Sequence, residues 1–141
     1  MADEQSESAG AGRTSGQGGA FPTNAVVGVV DGPRDLVGLV ESLRAAGFEP
    51  EVLCGERGVE RIENAGGSAR DVRITRVVQG MFGYEAEHSA RHTREIEEGH
   101  YVVVVRSEDD ETTDRIGDIF ADHAGHFVNY YTRWTGRPLI P

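Results

Sequence analysis

Five histidines, His88, His92, His100, His123 and His126, are the residues of this chain best suited to chemistry. His88 and His92 stand four apart in the stretch HSARH, so a helix projects both imidazoles from one face. That spacing suits two ligands of zinc or another transition metal. Glu85 and Glu95 flank them and could ligate the ion or orient the rings. His123 and His126, in HAGH, are the candidates for a third and fourth ligand. They fall at the end of one expected element and the start of the next, so they need not face the same way. The competing use of His88 and His92 is packing, as half-buried rings hydrogen-bonded within the protein. A third use is a pH-responsive interface, since histidine titrates near neutrality. HSARH lacks the second-position glutamate of the HExxH metalloprotease motif.

The other chemical groups read more plainly. His100 follows Gly99 and opens a valine run, the position of a surface residue at a strand start. Asp31-Gly32-Pro33-Arg34-Asp35 lies at a helix start, where anions bind, but its two aspartates repel phosphate and leave a capping turn. Cys54 has only Arg57 nearby in sequence to activate it and reads as a quiet, partly buried thiol. Tyr130 and Tyr131 are adjacent in a strand and point to opposite faces, so with Trp134 they serve packing rather than a shared aromatic wall. HYVVVVR lacks the aromatic and basic arrangement of an RNA-recognition strand.

The elements that must position these groups follow from pattern. Ala25–Val30 (AVVGVV) is a buried strand whose central Gly28 marks a close approach by another group. Pro33 opens a helix to about Ala46, with Leu36, Leu39, Val40 and Leu43 on one face and Gly47 as left-handed cap. Phe48–Leu53 is a second strand, and Glu56–Gly67 holds a short helix. From Asp71 to Gly99 the stripe Ile74, Val77, Val78, Met81, Tyr84, His88, His92 and Ile96 predicts one long helix. Gly80 and Gly83 mark a kink or break in it. His100–Arg106 is a third strand, apolar on both faces. Ser107–Asp110 resembles a capping box and starts a helix with Ile116, Ile119, Phe120 and His123 in its stripe. His126–Tyr131 is the fourth strand, and Thr132–Pro141 a tail lying over the body.

The predicted class is α/β, an α+β sandwich: a ferredoxin-like βαβ–(helical insert)–βαβ with a four-stranded sheet and the insert at about 56–99. Residues 1–22 hold almost no large apolar side chain and read as a disordered tail, leaving 23–141 as one domain. In that fold both crossover helices share one sheet face. The inserted helix, or a second subunit packed face to face, must then cover the other.

Composition excludes several classes. The formal net charge is −10, with 24 acidic residues and 14 basic ones, all arginine. Excess acid disfavours nucleic acid and anionic membrane surfaces. The lone Cys54 permits no internal disulfide. Neither a signal peptide nor a membrane span is expected, so cytoplasmic residence is the default. High Ala, Gly, Val and Arg suggest a GC-rich bacterial source.

VVGVVDGP in the first strand and turn, the helix end Arg44-Ala45-Ala46-Gly47-Phe48, the Tyr-bearing helix leading to Glu98-Gly99-His100, and the ending HAGHFVNYYTRWT together resemble a family of small bacterial general-stress or heat-induced stress proteins. The resemblance spans about 24–136 and implies a ferredoxin-like domain without established catalytic residues. The function expected is therefore non-enzymatic, acting by protein association as a homodimer or higher oligomer through the sheet face and central helix. One alternative is zinc or another transition metal on His88, His92, His123 and His126. The other is a small-ligand-binding regulatory module, by fold analogy alone.

Overall fold

Ala25–Val30 (β1) is buried along its whole length, which requires cover on both faces. Successive side chains of a strand alternate between faces. Val26 and Val30 join one apolar cluster, while Ala25, Val27 and Val29 join another. The computed structural model describes residues 24–77, 86–133 and 136–141. After β1 come α1 (Pro33–Ala45), β2 (Glu51–Cys54), α2 (Glu56–Ala65), a short 3-10 turn (Gly67–Asp71) and β3 (Ile74–Arg76). Then follow α3 (Ala86–Glu97), β4 (Tyr101–Arg106), α4 (Asp110–Asp122), β5 (His126–Tyr131) and β6 (Gly136–Ile140).

The strands form one mixed sheet in the order β3-β2-β4-β1-β5-β6. β1 runs antiparallel to β4 and β5, and β2 antiparallel to β4. Thus β1 and β2 are parallel with β4 between them, and β4 and β5 are parallel with β1 between them. Each parallel pair is joined by a helix, giving two βαβ units, β1-α1-β2 and β4-α4-β5. Their helices share one face: Leu36, Leu39 and Leu43 of α1 and Ile116 and Phe120 of α4 pack with Val26, Val30, Val103 and Val128. Gly28 is required there, since a methyl on it would lie 2.6 Å from the Phe120 ring and 2.8 Å from Val128. On the opposite face Ile96 of α3 packs with Val27, Val29, Leu53, Val102 and Val104. The chain's own helix α3 thus covers this face.

Three expectations are corrected. The sheet has six strands rather than four. The tail supplies β6, paired antiparallel with β5, and the insert supplies β3, parallel to β2. Second, the stripe beginning at Ile74 is not helix at its start. Ile74-Thr75-Arg76-Val77 holds three β-branched residues in four, which favour a strand, and the Val77 amide continues the ladder to the Cys54 carbonyl at 2.9 Å. Ile74 and Val77 stand three apart, a helical spacing, but in the strand they face opposite sides of the sheet. Third, the N-cap of α4 is Asp109, whose Oδ1 accepts from the Thr112 amide at 2.8 Å. Ser107 instead pairs with the Thr113 hydroxyl at 2.7 Å. Gly47 ends α1 at φ +95° as expected. The predicted tail at 1–22, the stripe residues Val78, Met81 and Tyr84, the Gly80–Gly83 break, Glu85 and Trp134 lie outside the described residues.

No helix among the described residues is long and apolar enough to cross a membrane.

Candidate functional site

Antiparallel pairing brings one end of β1 against the starts of both its neighbours. Val30 pairs with Tyr101 and Val29 with His126, so Asp31, the next residue of the chain, meets His100 and His126. The end of α3 completes the cluster. Gly99 adopts φ +92°, and the His100 amide returns to the Glu95 carbonyl at 3.0 Å. That tight reversal leaves Glu95 and Glu98 beside the start of β4.

The polar atoms form a chain. His126 Nε2 lies 2.6 Å from Asp31 Oδ1, and His100 Nδ1 lies 3.3 Å from the same oxygen. His100 Nδ1 also stands 2.6 Å from Glu95 Oε1 and 3.9 Å from Glu98 Oε1. Arg91 Nε donates to Glu95 Oε2 at 3.0 Å. An ionised carboxylate only accepts, so the ring nitrogens facing Asp31 and Glu95 carry protons in this arrangement. Two overlapping sets of metal-capable atoms lie within 4.8 Å of one another: Asp31, Glu95 and His126, and Glu95, Glu98 and His100. Glu95 is buried while Asp31 and Glu98 are exposed, so the cluster has a dry floor and an open side.

Burial pushes the Glu95 carboxyl up, but hydrogen bonds from His100 and Arg91, with the charges of His126 and His100, outweigh it and hold the group below its ordinary value. Glu95 is therefore a carboxylate at neutral pH. The surrounding structure fixes its partners. Arg61 Nη1 donates to the carbonyls of Asp31 at 2.8 Å and Gly99 at 2.6 Å, pinning together the two turns that carry Asp31 and His100. Arg91 also stacks over Phe127, its guanidinium carbon 4.5 Å from the ring centroid. Phe127 has φ +45° and sits where the β1–β5 register shifts. Such a bulge re-aims the side chains beside it, and His126 is its neighbour.

The four predicted histidines do not converge. His88 and His92 do project from one face of α3, as their spacing requires. They meet aromatic rings: those of His88 and His92 lie 5.2 Å and 5.1 Å from Phe127. His88 Nδ1 is 2.6 Å from the Tyr131 hydroxyl. His92 is fully buried. Burial above all, then the charges of His88 and Arg91, push its pKa down to about 3 against the opposing pull of Glu95. It is a neutral core residue. His123 lies on the other side of the sheet, its Nε2 2.8 Å from Ser42 Oγ of α1. Only two residues separate it from His126, but Ala124 at φ +60° reverses the chain between them. Among the described residues, no set of three metal-capable atoms includes His88, His92 or His123.

Of the residues in this cluster, sequence reasoning singled out His126 and Glu95 and set aside His100 and Asp31. Nothing local marks Asp31, because its partners arrive from 64 to 95 residues away through strand pairing. For Glu95 and His100 a signal existed: a glutamate, a glycine and a histidine around a helix end, in Glu95–His100.

Cys54 is buried, and desolvation raises its thiol to about 11 although the Arg76 charge pulls the other way. It is unreactive at neutral pH. Tyr130 and Tyr131 belong to opposite faces, as expected. Comparison with known protein families, with curated proteins and with solved structures finds no match to this chain.

Proposed function

We propose that this chain is a non-enzymatic binding module that holds one divalent first-row transition-metal ion between Asp31, Glu95 and His126, with His100 behind them. The single observation that carries the reading is the approach of those three metal-capable atoms to within 4.8 Å of one another, from three elements remote in sequence. Fixed charge supports it. Asp31, Glu95 and Glu98 bring three carboxylates against two guanidinium side chains, Arg91 on Glu95 and Arg61 on the Asp31 and Gly99 carbonyls, so the cluster keeps a net negative charge for a cation. Imidazole with carboxylate and no thiolate suits zinc, manganese or iron(II) rather than copper(I). Calcium asks for six to eight oxygens, more than the cluster offers. Binding exchanges ring protons for the ion, so affinity falls in acid.

In this reading the two βαβ units are a ferredoxin-like sandwich, extended at its edges by β3 and β6 and covered on its second face by α3. Self-association through the sheet face and α3, as a homodimer or higher oligomer, remains the second reading, with light scattering as its test. The resemblance to bacterial general-stress proteins, and a cytoplasmic setting, belong to the same proposal.

The test is calorimetric titration of tag-free, EDTA-treated protein with ZnCl₂ and MnCl₂. One ion per chain is expected, with Asp31→Asn, Glu95→Gln and His126→Ala each weakening uptake by about tenfold or more. No stoichiometric uptake, or uptake indifferent to all three changes, overturns the reading.

A further inference from the structure

A second region takes part in none of this. α2, the 3-10 turn and β3 line an open cavity of about 580 Å³ at the β3 edge of the sheet, within the size range of small-molecule sites. Its floor is apolar, built from Val59, Ile62, Val72 and Ile74, and it is continuous with the main core. Arg70 and Arg76 stand at its walls, with Glu63 the one acid among the described lining residues.

Arg76 is unexpectedly placed. β3 pairs in parallel with β2, Ile74 opposite Val52 and Arg76 opposite Cys54. Residues two apart in a strand share a face, and on this face Val52, Cys54 and Ile74 belong to or pack against the core. Arg76 therefore extends an apolar line with a cation. Arg76 is exposed, and its charge opposes the rise that burial imposes on the Cys54 thiol. Neither Arg70 nor Arg76 makes a hydrogen bond or ion pair among the described residues. The local sequence is basic: residues 65–77 hold three arginines against one aspartate in a chain of net charge −10.

An apolar floor rimmed by two arginines that pair with no acid among the described residues matches a ligand with an apolar body and an anionic head. Guanidinium pairs bidentately with carboxylate, and the body would be held by burial at about 25 cal/mol per Å² of apolar surface. We infer that this cavity binds a small amphiphilic carboxylate, an acyl or aryl acid, with its head between Arg70 and Arg76 and its apolar part over Val72 and Ile74.

The experiment uses EDTA-treated full-length protein, so its outcome is independent of the metal reading. Decanoate, 1-decanol and decylammonium are titrated below their micellar concentrations, followed by calorimetry and by the methyl resonances of Val59, Ile62, Val72 and Ile74. The expected result is saturable one-to-one binding of decanoate with shifts at those methyls. Decanol and decylammonium should bind at least tenfold more weakly. The exposed double variant Arg70→Gln/Arg76→Gln should lose at least tenfold in decanoate affinity with its circular dichroism unchanged. Absence of saturable decanoate binding, equal binding of decanol, unchanged binding by the double variant, or shifts confined to other methyls would each overturn the inference.

Discussion

Replacing His92 by leucine tests the buried face of α3 through its dependence on pH. His92 is fully buried against Phe127, and its pKa is pushed from 6.5 to about 3. In the unfolded chain the ring takes up a proton below its ordinary value; in the folded chain it does not until about 3. The unfolded state therefore binds more protons throughout that window, and stability falls as pH falls. At pH 5 the linkage amounts to about 2 kcal/mol, and near pH 3 it approaches roughly 5 kcal/mol, at about 1.4 kcal/mol per pKa unit. At pH 7.5 it vanishes. The Glu95 carboxyl, held below its ordinary value of 4.5, contributes stability that is present above 4.5 and lost as pH falls through its lower folded value. The interval from pH 6.5 to 5 thus separates His92 from Glu95. Urea unfolding of wild type and His92→Leu at pH 7.5, 6.0 and 5.0, followed by circular dichroism, reads the difference directly. The variant should differ from wild type by less than about 1.5 kcal/mol at pH 7.5, as for a near-isosteric core exchange. It should gain about 2 kcal/mol relative to wild type by pH 5. A difference that stays flat across the three pH values would refute the argument, because it would mean that His92 accepts a proton in the folded protein as easily as in the unfolded one.

Gly28→Ala forces a methyl against Phe120 and Val128, at 2.6 Å and 2.8 Å, and should cost about 1–3 kcal/mol in urea unfolding. Asp109→Ala removes the oxygen that accepts the Thr112 amide and should lower the urea midpoint, with Asp109→Asn restoring most of it. Zinc uptake by the Asp31–Glu95–His126 cluster should release protons, measured as a dependence of calorimetric heat on the buffer's ionisation enthalpy, and should weaken between pH 7.5 and pH 5.5. Tyr101→Phe leaves the buried Gly58 carbonyl without the hydroxyl that donates to it at 2.7 Å and should cost about 1–3 kcal/mol.

What the sequence disclosed follows the range of the forces involved. AVVGVV, the helix from Pro33 to its Gly47 cap, and HFVNYY are set by local pattern, and each lies where the pattern puts it. The close approach at Gly28 was legible because only glycine is small enough at a strand centre facing an aromatic ring. β6 was not legible: Gly136–Ile140 contains Pro138 and little alternation, and it is a strand because β5 offers it an edge. β3 was hidden because a run of Ile, Thr and Val satisfies a strand while its first and fourth residues also begin a helical stripe. The cluster was the least legible part. Its residues share no spacing and meet only when β1, β4 and β5 pair in register.

The two kinds of histidine on and around α3 differ for one physical reason, their distance from the helix end. His88 and His92 lie in its middle turns, where an i, i+4 pair must face the sheet if Ile96 does. There an imidazole meets Phe127 and Tyr131, and burial holds at least His92 neutral. One turn further on, the chain leaves the helix through Gly99, and a carboxylate at Glu95 can reach His100 while staying within Arg91's grasp. The interior of the helix thus closes the second face of the sheet, and its last turn supplies the acid that joins Asp31 and His126. The same residues that complete the core place Glu95. A change that loosens α3 from the valine face should therefore weaken metal uptake even with every ligand intact, and His92→Leu at pH 7.5, where α3 stays packed, should leave uptake unchanged.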